Sequence, residues 1–210
     1  VTSPRMSSSV AMLACAASLV LTVAACGSDD QSAATSSSSP VSDVFTPPNL
    51  TETATEAAGC PTAAPAPGGK PEWTLSGGTG SVAVTGSTDD TAPLVTVTPP
   101  FSVTETQVHT LKAGDGPVVA DTATVQVCYM GVNGRDGTVF DSSYERGAPA
   151  EFPLTGVVPG FQKAIAGQKI GSTVAVAMTP ADGYPEGQPA AGIEKGDSLV
   201  FAIKVLNATT

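Results

Sequence analysis

Bond-making chemistry has few candidates in this 210-residue chain. The single histidine, His109, sits in a run of β-forming residues with no Ser elbow or Cys nucleophile beside it, so neither a Ser-His-Asp nor a Cys-His relay is supported. It reads as a surface residue of a strand. Cys15, Cys26, Cys60 and Cys128 form no Cys/His ligand cluster, and no metal or other cofactor is expected. Asp136, Asp141, Asp182 and Asp197 are scattered over turn-like segments and read as turn chemistry rather than a calcium loop. What remains is an ordered series of aromatic side chains: Tyr129, Phe140, Phe152, Phe161, Tyr184 and Phe201. Each one alone reads as core packing. Tyr129 and Tyr184, however, carry hydroxyls that a purely apolar core would leave without partners.

These side chains fall in the half of the chain that can fold. Residues 101–210 hold five of the six Phe and all three Tyr, whereas Phe45 and Trp73 are the only aromatics before them. The burial that offsets chain entropy therefore lies in the second half, and one domain is expected. A formal net charge of −10 with no Lys or Arg cluster argues against a phosphate-backbone binder, so nucleic acid is not an expected partner. From Phe101 onward the pattern is β. Longer runs lie at 103–111 and 123–129, short ones at 138–141 and 151–154, and closing ones at 172–178 and 198–206. Only 158–166 has helical character, with Val158, Phe161 and Ile165 at helix spacing. Many strands with one short helix predict an α+β fold, a twisted antiparallel sheet wrapped on the helix.

Ahead of that domain, Arg5 precedes an uncharged run of 16 residues, 10–25, that closes on Val23-Ala24-Ala25-Cys26. The run is shorter than the roughly 20 apolar residues a membrane-spanning helix needs, and Ser18 and Thr22 interrupt it. The motif resembles the bacterial lipobox. That resemblance implies a signal peptide over 1–25, lipid on Cys26, export, and anchoring to the outer face of the cell membrane. Residues 26–70, rich in Ser, Thr, Ala and Pro, predict a disordered tether. Between 71 and 101, short β-branched runs predict either strands that extend the following sheet or loop.

Residues 102–208 resemble the FKBP family of peptidyl-prolyl cis-trans isomerases. The resemblance is carried in order by Tyr129-Met130-Gly131, a Gly-rich turn at 133–137, Val139-Phe140-Asp141, Phe152-Pro153-Leu154, Val157-Val158-Pro159-Gly160-Phe161, Gly167-Gln168-Lys169-Ile170-Gly171, the turn ending at Tyr184, Gly192-Ile193, and Leu199-Val200-Phe201. It implies a pocket for a proline ring, with Tyr129, Phe140, Asp141, Tyr184 and Phe201 as the catalytic set. Phe152, Val157, Val158 and Ile193 are implied as binding residues, with Phe161 as floor and Arg146 buttressing Asp141. The backbone N–H of Val158 and the Tyr184 hydroxyl are implied as donors to the bound peptide. Proline-containing polypeptides are then the expected substrates, with a macrolide of the rapamycin type as a further ligand. Three features depart from the family pattern: Ala150 in place of an aromatic, Phe161 in place of the usual Trp, and the segment 185–189. They keep a second function in view, a membrane-tethered peptide-binding or chaperone-like module of the same fold with little catalysis.

Export favours oxidised thiols, and with Cys15 in the signal and Cys26 lipidated, Cys60 and Cys128 remain as a pair. Strand alternation turns Tyr129 toward the pocket and Cys128 toward the opposite face. A bridge to Cys60 would staple the tether to that face. Two free thiols are the alternative, and the sequence leaves both open.

Overall fold

The computed structural model describes residues 59–65 and 68–210. The expected signal segment 1–25, the lipidation site Cys26 and the tether as far as residue 58 lie outside them. Chain that alternates apolar and polar residues comes first. Strands β1 (Trp73–Ser76), β2 (Thr79–Thr85) and β3 (Leu94–Ser102) form a three-stranded antiparallel meander. Its register pairs Trp73 and Leu75 with Val84 and Val82, and these in turn with Val95 and Val97. One face of the meander is therefore apolar.

The second sheet has six strands: β4 (Gln107–Lys112), β5 (Thr124–Asn133), β6 (Val139–Ser142), β7 (Ala150–Pro153), β8 (Thr173–Met178) and β9 (Leu199–Thr209). All pairings are antiparallel in the order β4-β8-β9-β5-β6, and β7 pairs with the first half of β5. A four-residue helix, α1 (Ser143–Arg146), follows β6 directly, and α2 (Pro159–Ile165) packs across the sheet. Helix α2 begins on Pro159, whose missing N–H is no loss in a first turn, and it buries Phe161, Ala164 and Ile165. Against them lie Val125, Val127, Val174, Val176, Met178, Phe201, Ile203 and Val205. This is the expected antiparallel sheet wrapped on a short helix. Helix α1 has no counterpart in the sequence pattern, because four residues are too few for a helical period.

Residues 71–101 do form strands, but they do not extend the sheet. They stack on its back. Val82, Val84 and Phe101 are buried against Ala175, Ala177, Val200 and Ala202, the alternate residues of β8 and β9 that point away from α2. Side chains this small let the two sheets approach closely, so the described residues make three layers: helix, six-stranded sheet, three-stranded sheet. His109 lies exposed on β4, its ring stacked on Trp73 of the back layer at 5.6 Å between centroids.

Cys60 is joined to Cys128 across 68 positions of sequence, with the two Cα atoms 5.6 Å apart. Both sulfurs are buried on the back of β5 among Ala92, Tyr144, Met130 and Leu206. Of the two thiol states the sequence left open, the structure has the bridged one. Closing so long a loop restricts the unfolded chain by about 4 kcal/mol in the chain-entropy account. Replacing both residues, Cys60→Ala with Cys128→Ala, should lower the unfolding free energy by about that amount, read from urea denaturation under non-reducing conditions. A loss smaller than about 1 kcal/mol would mean that the bridge does not constrain the protein in solution.

Candidate active site

On the helix side of the sheet a cleft of about 120 Å³ opens between α2, β6 and the connection from β8 to β9. Its floor is Phe161, which α2 delivers edge-on to three rings. Ring centroids lie 5.8 Å from Tyr129, 5.4 Å from Phe152 and 5.2 Å from Phe201, with interplanar angles of 86°, 68° and 83°. Phe140 meets Phe201 the same way at 5.5 Å. Edge-to-face pairs add about 0.5–1.5 kcal/mol each beyond burial, so the cleft wall is a mutually braced aromatic set rather than a loose apolar surface. Gly131 explains why this packing is possible. A Cβ there would stand 2.6 Å from Cζ of Phe140 and 2.8 Å from Cε1 of Phe201, so the two rings pack over bare backbone.

The polar side of the cleft is a three-membered cluster. The Tyr129 hydroxyl donates to Oδ2 of Asp141, and Nη1 of Arg146 donates to Oδ1 of the same carboxylate. Nη2 of Arg146 donates to the Tyr129 hydroxyl at 3.1 Å, and the guanidinium lies 5.7 Å from the Tyr129 ring centroid. Helix α1 creates this geometry. Ser142 caps it by accepting from the Glu145 N–H, and Gly147 ends it in the left-handed region at φ 68°. The single turn swings Arg146 back over Asp141. Ser143, the first residue of α1, accepts from the Tyr129 N–H at 2.8 Å and so ties the turn to the strand bearing Tyr129.

Two donors at the cleft are free for a ligand. Among the described residues no protein group pairs with the Tyr184 hydroxyl, and no protein acceptor takes the backbone N–H of Val158, the residue before α2. Val157 lines the cleft beside it. The structure thus brings together Tyr129, Phe140, Asp141, Phe152, Val157, Val158, Phe161, Tyr184 and Phe201. Ile193 is not among them: it is 1 % exposed and packs in the core behind the cleft. It packs in the same core cluster as Phe161 and Phe201. Arg146 also does not line the cleft; it stands behind Asp141. Ser143 ends the family-like run Val139-Phe140-Asp141-Ser142-Ser143 but was not among the expected site residues, since a serine there carries no sign of its bond to the Tyr129 strand. A larger hollow of about 300 Å³, bounded by Gly77, Gly78, Glu105 and Gln107, has no aromatic wall. Among the described residues no group of His, Cys, Asp and Glu is arranged to hold a metal ion.

An antiparallel sheet wrapped on α2 thus carries a braced aromatic cleft with unpaired donors at its mouth. Residues 116–206 match the family of FKBP-type peptidyl-prolyl cis-trans isomerases. The chain is 36% identical over 96 residues to a probable FK506-binding protein of Corynebacterium glutamicum, covering 45% of this chain and 80% of that protein. It is 39% identical over 100 residues to the FKBP-type 22 kDa peptidyl-prolyl cis-trans isomerase of Escherichia coli, covering 48% of each. The crystal structure of FkpA from Escherichia coli matches with 35% identity and a TM-score of 0.43, over 50% of this chain and 47% of that one. The chain belongs to the FKBP-type peptidyl-prolyl cis-trans isomerase family. It spans about half the length of the Escherichia coli relative, and the match leaves the back layer β1–β3 outside it.

Burial pushes the Asp141 carboxyl up, but the hydrogen bonds from Tyr129 and Arg146 outweigh burial and hold it below the usual carboxylate range. The Tyr129 phenol goes the other way, raised by burial and by its bond to Asp141 against the opposing effect of Arg146. Asp141 therefore adds stability that is present above the ordinary value of about 3.9 and is lost as pH falls through its lowered value. Tyr129 adds stability that is present below about pH 10 and is lost as pH rises through its raised value. Ultraviolet titration should leave Tyr129 protonated at about pH 10, and Asp141→Asn should bring its titration back toward that value. A Tyr129 midpoint unaffected by the substitution would rule out the coupling.

Proposed function

We propose that this protein accelerates cis-trans exchange of X-Pro bonds in polypeptides. The observation that carries this is the aromatic cleft with two unpaired donors at its mouth, the Val158 N–H and the Tyr184 hydroxyl. Rotation about an X-Pro bond faces a barrier of about 20 kcal/mol because planarity preserves amide resonance. Water favours the charge-separated planar amide. Phe140, Phe161, Phe201 and Val157 offer a proline ring an apolar seat from which water is excluded, while the two donors are suited to fix carbonyls flanking the bond. The twisted amide then loses less on transfer than the planar one and is bound relatively better. No nucleophile is required. The Tyr129–Asp141–Arg146 cluster keeps the polar wall in one arrangement, so that little reorganisation accompanies twisting.

The test is exchange of a short X-Pro peptide, followed by NMR line shape or protease coupling, with the chain from Gly59 onward. Phe140→Ala should lower the rate about tenfold or more. Tyr184→Phe should lower it about three- to tenfold, the value of one neutral hydrogen bond. A macrolide of the rapamycin type should compete with the peptide. A wild-type rate equal to the uncatalysed one would leave a peptide-binding module with the same cleft.

We further propose that the protein works outside the cytoplasm on exported polypeptides, held at the outer face of the cell membrane by lipid on Cys26. Support comes from the small-residue ending Val23-Ala24-Ala25-Cys26 after an uncharged run, and from the oxidised Cys60–Cys128 pair, which suits an oxidising compartment. Stable anchoring takes two acyl signals rather than one. Mass spectrometry of the mature N-terminal peptide should find a lipid-modified Cys26; an unmodified N-terminus at another residue would remove the anchor from the picture.

A further inference from the structure

Tyr184 is held differently from the other aromatic side chains of the cleft. Tyr129, Phe140, Phe152 and Phe201 stand on strands and Phe161 stands on α2, whereas Tyr184 lies in the connection from β8 to β9, between Gly183 and Pro185. Gly183 has φ −111° and ψ −105°, a combination outside the broad β and helical regions. Local preference therefore does not set the direction in which the chain leaves this glycine, and the residue just before it has to be fixed by something else.

Asp182 supplies that fixed point. It closes a single 3₁₀ turn, Pro180–Asp182, whose capping residue Thr179 lies directly after β8. Its carboxylate accepts two bonds from Nζ of Lys163, at 2.9 and 2.7 Å, and one from the Thr106 hydroxyl at 2.5 Å. The Thr106 oxygen also accepts from the Thr179 N–H at 3.2 Å, so one hydroxyl ties both ends of the turn. Lys163 stands on α2 two residues beyond Phe161, and Thr106 directly precedes β4. The chain ahead of Tyr184 is thus tied at once to the helix that carries the cleft floor and to the segment leading into the edge strand. The bonds from Lys163 and then Thr106 hold the carboxyl below its usual range, which keeps it an acceptor on all sides. The Lys163 side chain is 56% exposed, and exposed ion pairs add little to stability, so the main effect of the junction is on geometry.

We propose that Asp182, through Lys163 and Thr106, is a positioning residue that sets the Tyr184 hydroxyl at the mouth of the cleft. The inference rests on the isomerase assignment for its kinetic consequence but not for its structural one. Asp182→Asn and Lys163→Met are to be made singly and also on a Tyr184→Phe background, with Lys163→Arg as the conservative control. Each single change should lower kcat/KM on an X-Pro peptide about three- to tenfold with the melting temperature unchanged, and Lys163→Arg should keep most of the activity. On the Tyr184→Phe background neither change should cost anything further. Aromatic NMR cross-peaks of Tyr184 should shift or broaden in Asp182→Asn while those of Tyr129 stay. Equal losses on both backgrounds, or Tyr184 signals that do not move, would overturn the proposal. If the wild-type chain shows no isomerisation, the kinetic assignment fails and the Tyr184 signals alone decide the positioning role.

Discussion

The interior strands β8 and β9 are apolar on both faces, and the rest of the structure follows from the difference between those faces. Toward α2 they present Val174, Val176, Met178, Phe201, Ile203 and Val205; away from it they present Ala175, Ala177, Val200 and Ala202. The first set is bulky enough to build a core around a single short helix. The second is too small to form a core and too apolar to face water, and at about 25 cal/mol per Å² its exposure would weigh on a domain of marginal stability. A second layer must cover it, and the meander β1–β3 does so with Val82, Val84 and Phe101. The segment between the expected tether and the isomerase-like sheet is therefore part of the folded body.

Division of labour between the two faces also isolates the cleft. Everything that lines it comes from the six-stranded sheet, from α2, or from the connections, and no residue of the back layer β1–β3 is among the lining residues. Within the cleft the constraint is reciprocal packing. Phe161 meets three rings edge-on and Phe201 two, and Gly131 leaves the backbone bare where Phe140 and Phe201 converge. On the polar side, one carboxylate organises both the Tyr129 hydroxyl and Arg146. The far end of the connection bearing Tyr184 is pinned by Asp197, which accepts from the Asn133 side chain at 2.7 Å, the Glu194 N–H at 2.8 Å and Nε of Arg135 at 3.2 Å.

Much of this was legible in the residues. Runs of β-forming residues located β5, β8 and β9, helix spacing located α2, and the order of short motifs located most of the cleft. What escaped did so for physical reasons. The run in β8, Thr173–Met178, is buried at every residue, which is the signature of a strand covered on both sides, but nothing local says which segment covers it. Alternation told which way Cys128 points and not how near Cys60 would come. Ile193 carries the motif, but its burial at 1% exposure among the core residues follows from the fold and not from the motif. Asp182 and Asp197 look like turn residues because they are in turns; their partners lie far along the chain, at Lys163, Asn133 and Arg135, and only the fold brings them together.

The bridge from Cys60 to the back of β5 also decides how the domain bears mechanical load. A pull on the chain ahead of Cys60 passes through the sulfurs straight to Cys128, beside Tyr129, and the 68 positions between them are out of the line of force. The meander and the edge strand β4 with its stacked His109 lie within that bypassed loop. The load therefore enters the sheet at β5, which pairs with β9 from Thr124 to Asn133 across a register shift between Gln126 and Val127.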